Sequence, residues 1–325
     1  MIAAILALPI AIAACLVLAA WPQGFGLEQA PVIAQVVAPR VGVIGIALGL
    51  LVLVALAALI RPIRRFALLV MAMLTAFILV SGGIHISRGL GSTGLVPEDG
   101  DITILSWNTL GSAPSADVLA ELINETGADV VTLPETFGES AEAAAALLDT
   151  KFQIFTVANP PAYGALNTSL MISAGLGEYE LAEGPHQTLP TVVARPSDGD
   201  GPTILATHPV APGRGQMRLW RAELRELADL CDAEPSLIIA GDLNSTLDHW
   251  ANLGEGDFGS CTDAARAAGA AATGSWPTSL PAWLGTQIDH VAVSDDWQVV
   301  DFHVVTDRDD AGSDHRPVVA TLRAR

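Results

Sequence analysis

Residues 236–244 read Ser-Leu-Ile-Ile-Ala-Gly-Asp-Leu-Asn. The apolar run is too short for a helix and ends on a glycine, a carboxylate and an amide, the pattern of a buried strand bounded by turn formers. Polar side chains at such an end stand where a rigid sheet can aim them. Working outward, the pattern recurs in Leu105-Ser106-Trp107-Asn108-Thr109, Val131-Thr132-Leu133-Pro134-Glu135 and Ala206-Thr207-His208-Pro209. Nearer the C-terminus, Ile288-Asp289-His290-Val291 is followed by Gly312-Ser313-Asp314-His315-Arg316-Pro317. Any one of these could be an ordinary turn or loop cap. Together they point to strands whose C-terminal ends pool ligand-type residues in one cleft.

The intervening sequence fits a mixed α/β domain. Strands are predicted at Ile102–Trp107, Val130–Leu133, Gln153–Ala158, Ser169–Ser173, Thr191–Arg195, Thr203–Thr207, Ser236–Ala240, His290–Ser294, Trp297–Val305 and Val318–Leu322. Amphipathic helices are predicted at Ala116–Glu125, Glu139–Leu148, Met217–Asp229 and Asp263–Ala268.

The N-terminal region differs in kind. Ile2–Ala20, Val41–Ile60 and Phe66–Ile86 are each apolar over about 20 residues, enough to span a bilayer. The first lacks the basic leader of a cleaved signal peptide. Arg61, Arg64 and Arg65 mark the loop between the second and third spans as cytoplasmic, which sends everything after Arg88 outward. Apart from Thr75, Ser81 and His85 the spans are nearly free of polar groups, which suits an anchor better than a conduction path. The expected organisation is a membrane anchor over 1–86, a Gly/Ser/Pro-rich linker over 87–100 and a catalytic domain over 101–325, at the plasma membrane with three transmembrane helices and an extracytoplasmic domain. Beyond Arg88 there are 34 acidic and 11 basic residues, a net of −23. Such a charge disfavours binding of extended duplex DNA, which draws affinity from basic surfaces.

In this order, WNT, LPET, THP, GDLN, IDHV and SDHRP resemble the motif series of the endonuclease/exonuclease/phosphatase superfamily, over about Asp101 to Arg323. The resemblance implies a four-layer α/β sandwich, with two packed mixed sheets flanked by helices, here preceded by the three spans. It also implies hydrolysis of phosphoesters with a divalent metal. Glu135 resembles the metal-ligand glutamate and Asn108 its neighbour at the metal or phosphate; Asp314 would reach the metal or organise its loop. Oxygen donors without a Cys/His set suit Mg²⁺ or Mn²⁺. Asp242 matches the residue that positions or deprotonates the attacking water, and Asn244 would hydrogen-bond a non-bridging oxygen. His315 resembles the essential histidine and Asp289 its carboxylate partner; either Asp242 or His315 could take the water's proton. His208 resembles the histidine of the deoxyribonuclease and sphingomyelinase branches. The first of these pairs it with a glutamate, yet Lys151 to Leu176 contains no acid.

Other residues carry weaker expectations. His290, alternating with Asp289, should face away from the site. His249 and Trp250 lie where a substrate-side loop could be. Arg214 and Arg218 could bind phosphate, or Arg218 could pair with Glu223 or Glu226. Outside the cytoplasm Cys231 and Cys261 could form a disulfide worth roughly 3–4 kcal/mol, the alternative being two buried thiols. The expected function is a membrane-anchored, divalent-metal-dependent phosphodiesterase or phosphatase acting on lipid head groups or small phosphoesters. The alternatives are an extracytoplasmic nuclease and a non-catalytic binding module on the same fold; the second should have lost at least one residue of the set.

Overall fold

A computed structural model describes residues 2–91, 93–159 and 167–325, which form two compact units, Met1–Arg88 and Gly89–Arg325. The first unit is helical: α1 (Ile2–Ala20), α2 (Ile33–Val37), α3 (Arg40–Ala57) and α4 (Arg64–Ser87). Its core is small, formed by Ala20, Ala47, Val70, Leu74 and Phe77, while Leu48, Leu50, Val52, Leu53, Leu56 and Leu79 are exposed. Two helical stretches, Arg40–Ala57 and Arg61–Ser87, are long and apolar enough to cross a membrane; Ala7–Ala20 is a shorter apolar helix. Only 11% and 28% of the two longer stretches is buried, so neither packs as the core helix of a globular domain.

The second unit holds two six-stranded sheets. The first contains β1 (Ile102–Ser106), β2 (Val130–Pro134), β3 (Phe152–Val157), β4 (Thr168–Ser173), β11 (Trp297–Val304) and β12 (Val318–Ala324), in the order β11-β12-β1-β2-β4-β3. The second contains β5 (Tyr179–Ala182), β6 (Val192–Pro196), β7 (Thr203–Thr207), β8 (Leu237–Asp242), β9 (Thr262–Asp263) and β10 (Asp289–Val293), in the order β5-β6-β7-β8-β10-β9. Each sheet is built on one parallel pair, β1/β2 and β7/β8, with antiparallel neighbours. A parallel pair needs a crossover. The crossovers run through α5 (Ala116–Thr126) and α7 (Met217–Ala233).

Alternation along the strands separates the layers. Ile104, Val130, Leu170 and Ile172 meet Val192, Ile204, Ile238, Val291 and Val293 in the core between the sheets. Leu105, Val131, Leu133 and Met171 point the other way, onto Leu119, Leu122 and Ile123 of α5 and onto Ala141 and Ala144 of α6 (Gly138–Ala145). Ser115 caps α5, its Oγ accepting from Val118 N, and Gly127 ends it at φ 62°. Helix α7 buries the stripe Trp220, Leu224, Leu227, Ala228 and Cys231, and every residue of β8 is buried. The result is two mixed sheets flanked by helices.

Two expectations need correction. Strands β5 and β9 lie outside the predicted set: β5 is an edge strand carrying exposed Glu180, and β9 has only two residues. The site motifs do not all follow strands. Asp289 opens β10 and His315 precedes β12, but these strands run antiparallel to β8 and β1, setting Asp289 opposite Asp242 and Val318 opposite Ser106. Their N-terminal ends therefore share the rim with the C-terminal ends of the parallel pairs. Residues of the expected linker, 87–100, make hydrogen bonds to the second unit. Gly91 N donates to Gly269 O at 2.9 Å, Ala272 N to Gly89 O at 3.0 Å, Thr93 Oγ1 to the Val300 carbonyl, and Arg323 Nη2 to Val96 O at 3.0 Å.

Cys231, at the end of α7, is bonded to Cys261, 30 residues on, beyond the loop that follows β8. Closing a loop of that length should stabilise the domain by about 3–4 kcal/mol through the unfolded chain. Replacing both cysteines with serine in the full-length chain should lower its denaturant midpoint accordingly. An unchanged midpoint would mean that the bond contributes nothing.

Candidate functional site

The sequence-predicted residues meet where the two sheets' rims face each other. From the first sheet, Asn108 follows β1 and Glu135 follows β2. From the second, His208 follows β7 and Asp242 closes β8. Asn108 Nδ2 donates to Glu135 Oε1 at 3.1 Å and, across the sheets, to Asp242 Oδ2 at 3.0 Å. His208 Nε2 lies 3.4 Å from Asp242 Oδ2 and 3.7 Å from Glu135 Oε1. A second link between the sheets joins His315 Nδ1 to Asp289 Oδ2 at 2.9 Å, leaving His315 Nε2 3.7 Å from Asp242 Oδ2. Asn108, His208, Asp242, Asp289 and His315 are all buried.

The backbone is bent to achieve this. Glu135 (φ 54°) and Asn244 (φ 45°) adopt the left-handed conformation, which costs a non-glycine residue of order 1–3 kcal/mol and collects at functional sites. At Gly241 a Cβ would meet the Thr207 carbonyl oxygen at 1.9 Å, so β7 and β8 can deliver His208 and Asp242 side by side only with glycine there. Asn244 N donates to Asp242 Oδ1 at 2.9 Å, and its side-chain amide to Pro209 O at 3.0 Å. Asn244 thereby clasps the loop carrying His208.

Asp314 stands apart from Glu135 and Asn108. Its Oδ2 accepts from Trp276 Nε1 at 2.9 Å and its Oδ1 lies 3.9 Å from His315 Nε2. His290 faces away from the site as expected, both ring nitrogens engaged by Asp263 Oδ2 (2.8 Å) and Ser245 O (3.0 Å). His249 and Trp250 do not line a substrate-side loop. They are buried in α8 (Leu247–Trp250), where His249 completes a capping box with Thr246 and Trp250 packs on Phe258 and His290. Arg214 and Arg218 are exposed. Glu223 and Glu226 take other partners: Glu223 accepts from Thr188 N and Val210 N, both at 2.8 Å, and Glu226 from His186 N at 2.8 Å.

Several supporting residues escaped the sequence reading. Ser313 Oγ donates to Asn108 O at 2.6 Å, and Trp107 Nε1 to His315 O at 2.9 Å. Ser275 Oγ accepts from Asp289 N at 3.1 Å, and Trp220 Nε1 donates to Asn244 O at 3.1 Å. Glu223, buried two residues' reach behind His208, carried the one usable signal: a carboxylate within the apolar stripe of an amphipathic helix.

Four carboxylates, Glu135, Asp242, Asp289 and Asp314, surround two imidazoles, and the charges decide the protonation. Burial raises the Asp242 carboxyl, but the His315 and His208 rings and the Asn244 N–H outweigh it and hold it at about 2. Burial opposes a charged His315; the Asp289 and Asp242 carboxylates prevail and lift it to about 10. His208 is raised likewise, with burial overcome by Asp242 and Glu135. Asp289 is pushed up, chiefly by burial and then by Asp242, against the pull of His315, its partner at 2.9 Å.

The donor set fits a hard divalent cation. Asp289 Oδ1 and Asp314 Oδ1 are shielded from solvent without a hydrogen-bond partner, and the carboxylates outnumber the imidazoles even when both rings are charged. Ligand atoms of Asp242, Asp289 and His315 lie within 4.8 Å of one another. Asp289 Oδ2 and His315 Nδ1 are bonded to each other, and Glu135 Oε1 and Asp242 Oδ2 share the Asn108 amide as donor.

Two mixed sheets packed in a sandwich, with an acid–amide–imidazole rim, are the architecture of a hydrolase family. The chain belongs to the Endonuclease/Exonuclease/phosphatase family, whose model matches residues 105–315. No curated protein matches the chain. Among solved structures it is similar to D. rerio TDP2 complexed with single strand DNA product (18% identity, TM-score 0.54, covering 70% of this chain and 100% of that one). It is similar also to the human Nocturnin catalytic domain with bound sulfate anion (17%, 0.51, 71% and 97%) and to the endonuclease/exonuclease/phosphatase from Bacteroides vulgatus (16%, 0.51, 70% and 100%). At these identities the likeness is one of fold.

A raised His315 makes a sign-specific prediction. Its favourable contribution to stability should be fully present below its ordinary value of 6.5 and be lost as pH rises towards about 10. In the cation-free full-length chain, NMR titration of the His315 ring should give a midpoint well above 6.5; a midpoint at or below that value contradicts the assigned pairing.

Proposed function

We propose that the chain is a membrane-anchored, divalent-cation-dependent phosphoester hydrolase, acting on lipid head groups or small phosphoesters outside the cytoplasm. The observation that carries this reading is the set of contacts linking Asn108 to Glu135 and Asp242, His208 to Asp242, and His315 to Asp289 and Asp242, which gather six separated motifs into one cleft. The anchor is formed by the apolar helices of the first unit, with α1 as a third span beside α3 and α4. Arg61, before α4, and Arg64 and Arg65, in its first turn, put that turn in the cytoplasm and the second unit outside.

Glu135, Asn108 and Asp242 would hold Mg²⁺ or Mn²⁺, with Asp314 at the edge of the site. When bound, the cation supplies Lewis-acid polarisation of a phosphoryl oxygen. Asp242, held ionised, orients the attacking water and accepts its proton. Charged His315, its Nδ1 tied to Asp289, donates from Nε2 to a phosphoryl oxygen as negative charge builds there. The second N–H of the Asn244 amide donates to another. His208, opposite Glu135 and Asp242, serves the leaving oxygen as proton donor. The net charge of −23 beyond Arg88 argues against extended duplex DNA as substrate.

The test is turnover of bis-p-nitrophenyl phosphate, phospholipids, phosphoinositides and single- and double-stranded DNA by the full-length chain. Activity should need Mg²⁺ or Mn²⁺ and vanish in EDTA. Asp242→Ala and His315→Ala should each lose on the order of 10²–10⁴-fold in kcat. Activity that survives both substitutions means that the site lies elsewhere.

A further inference from the structure

Between Arg266 and Asp289 the chain runs 22 residues without a charged side chain, inside a unit of net charge −23. This stretch borders the site. Trp276 Nε1 donates to Asp314 Oδ2 at 2.9 Å, and the Trp276 ring centroid is 6.5 Å from that of His315. From the same loop three large apolar side chains face solvent: Trp276 (39% exposed), Leu280 (39%) and Trp283 (61%). On the Asn108 side Leu110 is exposed too, in the left-handed conformation (φ 50°), with its N–H on Asn108 Oδ1 at 3.0 Å.

Apolar exposure at a loop tip is often a sign of a mobile segment. Here the backbone is pinned. Arg316, buried beside His315, donates to Pro277 O (3.2 Å), Thr278 O (3.4 Å) and Leu280 O (2.7 Å). Thr278 N donates to Asp314 O at 2.9 Å, Thr278 Oγ1 to Ser313 O at 3.1 Å, and Trp276 N to Thr286 O at 3.0 Å. The residues that hold His315 therefore also fix Trp276 and Leu280 in the solvent. Clustered exposed aromatic and aliphatic side chains mark a binding surface, and an uncharged one beside a phosphate-type site suits a ligand that is anionic at one end only.

We infer that Trp276, Leu280, Trp283 and Leu110 form an apolar lip that takes the hydrocarbon part of an amphipathic phosphoester, a phospholipid, while its phosphate lies among Asp242, His208 and His315. The inference rests on the hydrolase reading above and narrows its substrate class. Free sugar phosphates have no hydrocarbon to place on the lip, and polynucleotides, whose bases could stack on its tryptophans, carry a charge at every nucleotide that a unit of net charge −23 repels. A lipid does, and a chain held at a bilayer meets lipids at high local concentration.

The test uses p-nitrophenyl phosphodiesters whose second ester group is methyl, butyl or octyl, with the full-length chain in nanodiscs. Each buried methylene adds roughly 0.8 kcal/mol, about fourfold, so partial burial of the octyl chain should raise kcat/KM at least tenfold over methyl. Leu280→Ser with Trp283→Ser alters only exposed side chains outside the catalytic set. It should leave methyl-ester turnover within about twofold and flatten the chain-length preference. Equal turnover of the three esters by the native chain, or a preference that survives the double substitution, overturns the lip and leaves the hydrolase reading standing. Failure to turn over any of the esters counts against the hydrolase reading, and the lip falls with it.

Discussion

The hydrogen bond from Asn108 Nδ2 to Asp242 Oδ2 is the constraint on which the structure turns. Asp242 is 2% exposed, and a buried carboxylate is tolerated only with polar or charged partners. The loop after its own strand provides the Asn244 N–H; the remaining partners come from the loops after β1 and β7 and before β12. The sheets can pack only in a register that brings these loops together. Sandwich packing and the assembly of the site are thus the same event, and the His315–Asp289 pair repeats the logic across the neighbouring strands. Charge concentrated this way also sets the protonation equilibria: against burial, the imidazoles hold the Asp242 carboxyl at about 2, and the carboxylates lift His315 to about 10 and raise His208.

Much of this was legible in the sequence, because buried strands and their terminal polar residues leave a short-range signature. Ser236–Ala240, which the structure extends to Asp242, and Thr203–Thr207 could be found from apolar runs alone, and α7 from its period. Direction was not legible. The motifs at Asp289 and His315 look like strand exits, yet they are strand entries, and only antiparallel pairing puts them on the same rim. Edge strand β5 was hidden by its charge, since a strand paired on one side tolerates Glu180 in solvent. His249 and Trp250 misled for a related reason: polarity in a loop suggests exposure, whereas capping and ring packing bury both. Residues that act through backbone atoms, such as Ser275, Ser313 and Trp220, leave no local pattern at all.

The same loops explain why the site is rigid without being central. Left-handed Glu135 and Asn244, the glycine at 241 and the arginine at 316 each trade local strain or buried charge for a fixed aim. Arg316 is the most economical of them. One guanidinium, with Asp309 Oδ2 at 2.6 Å, holds the carbonyls of the apolar loop while the Arg316 N–H, next to His315, donates to Ser275 O at 2.8 Å. Chemistry and the surface beside it are therefore mechanically one piece, which is the arrangement an enzyme needs if the same substrate must be gripped at both ends.

If the rim residues of both sheets form one cation-binding, phosphoester-cleaving centre, electron paramagnetic resonance of Mn²⁺ titrated into the full-length chain will show it. Mn²⁺ should bind the native chain, and Glu135→Gln and Asp242→Asn, one from each sheet, should each weaken binding at least tenfold. Binding left intact by either substitution would contradict a single centre.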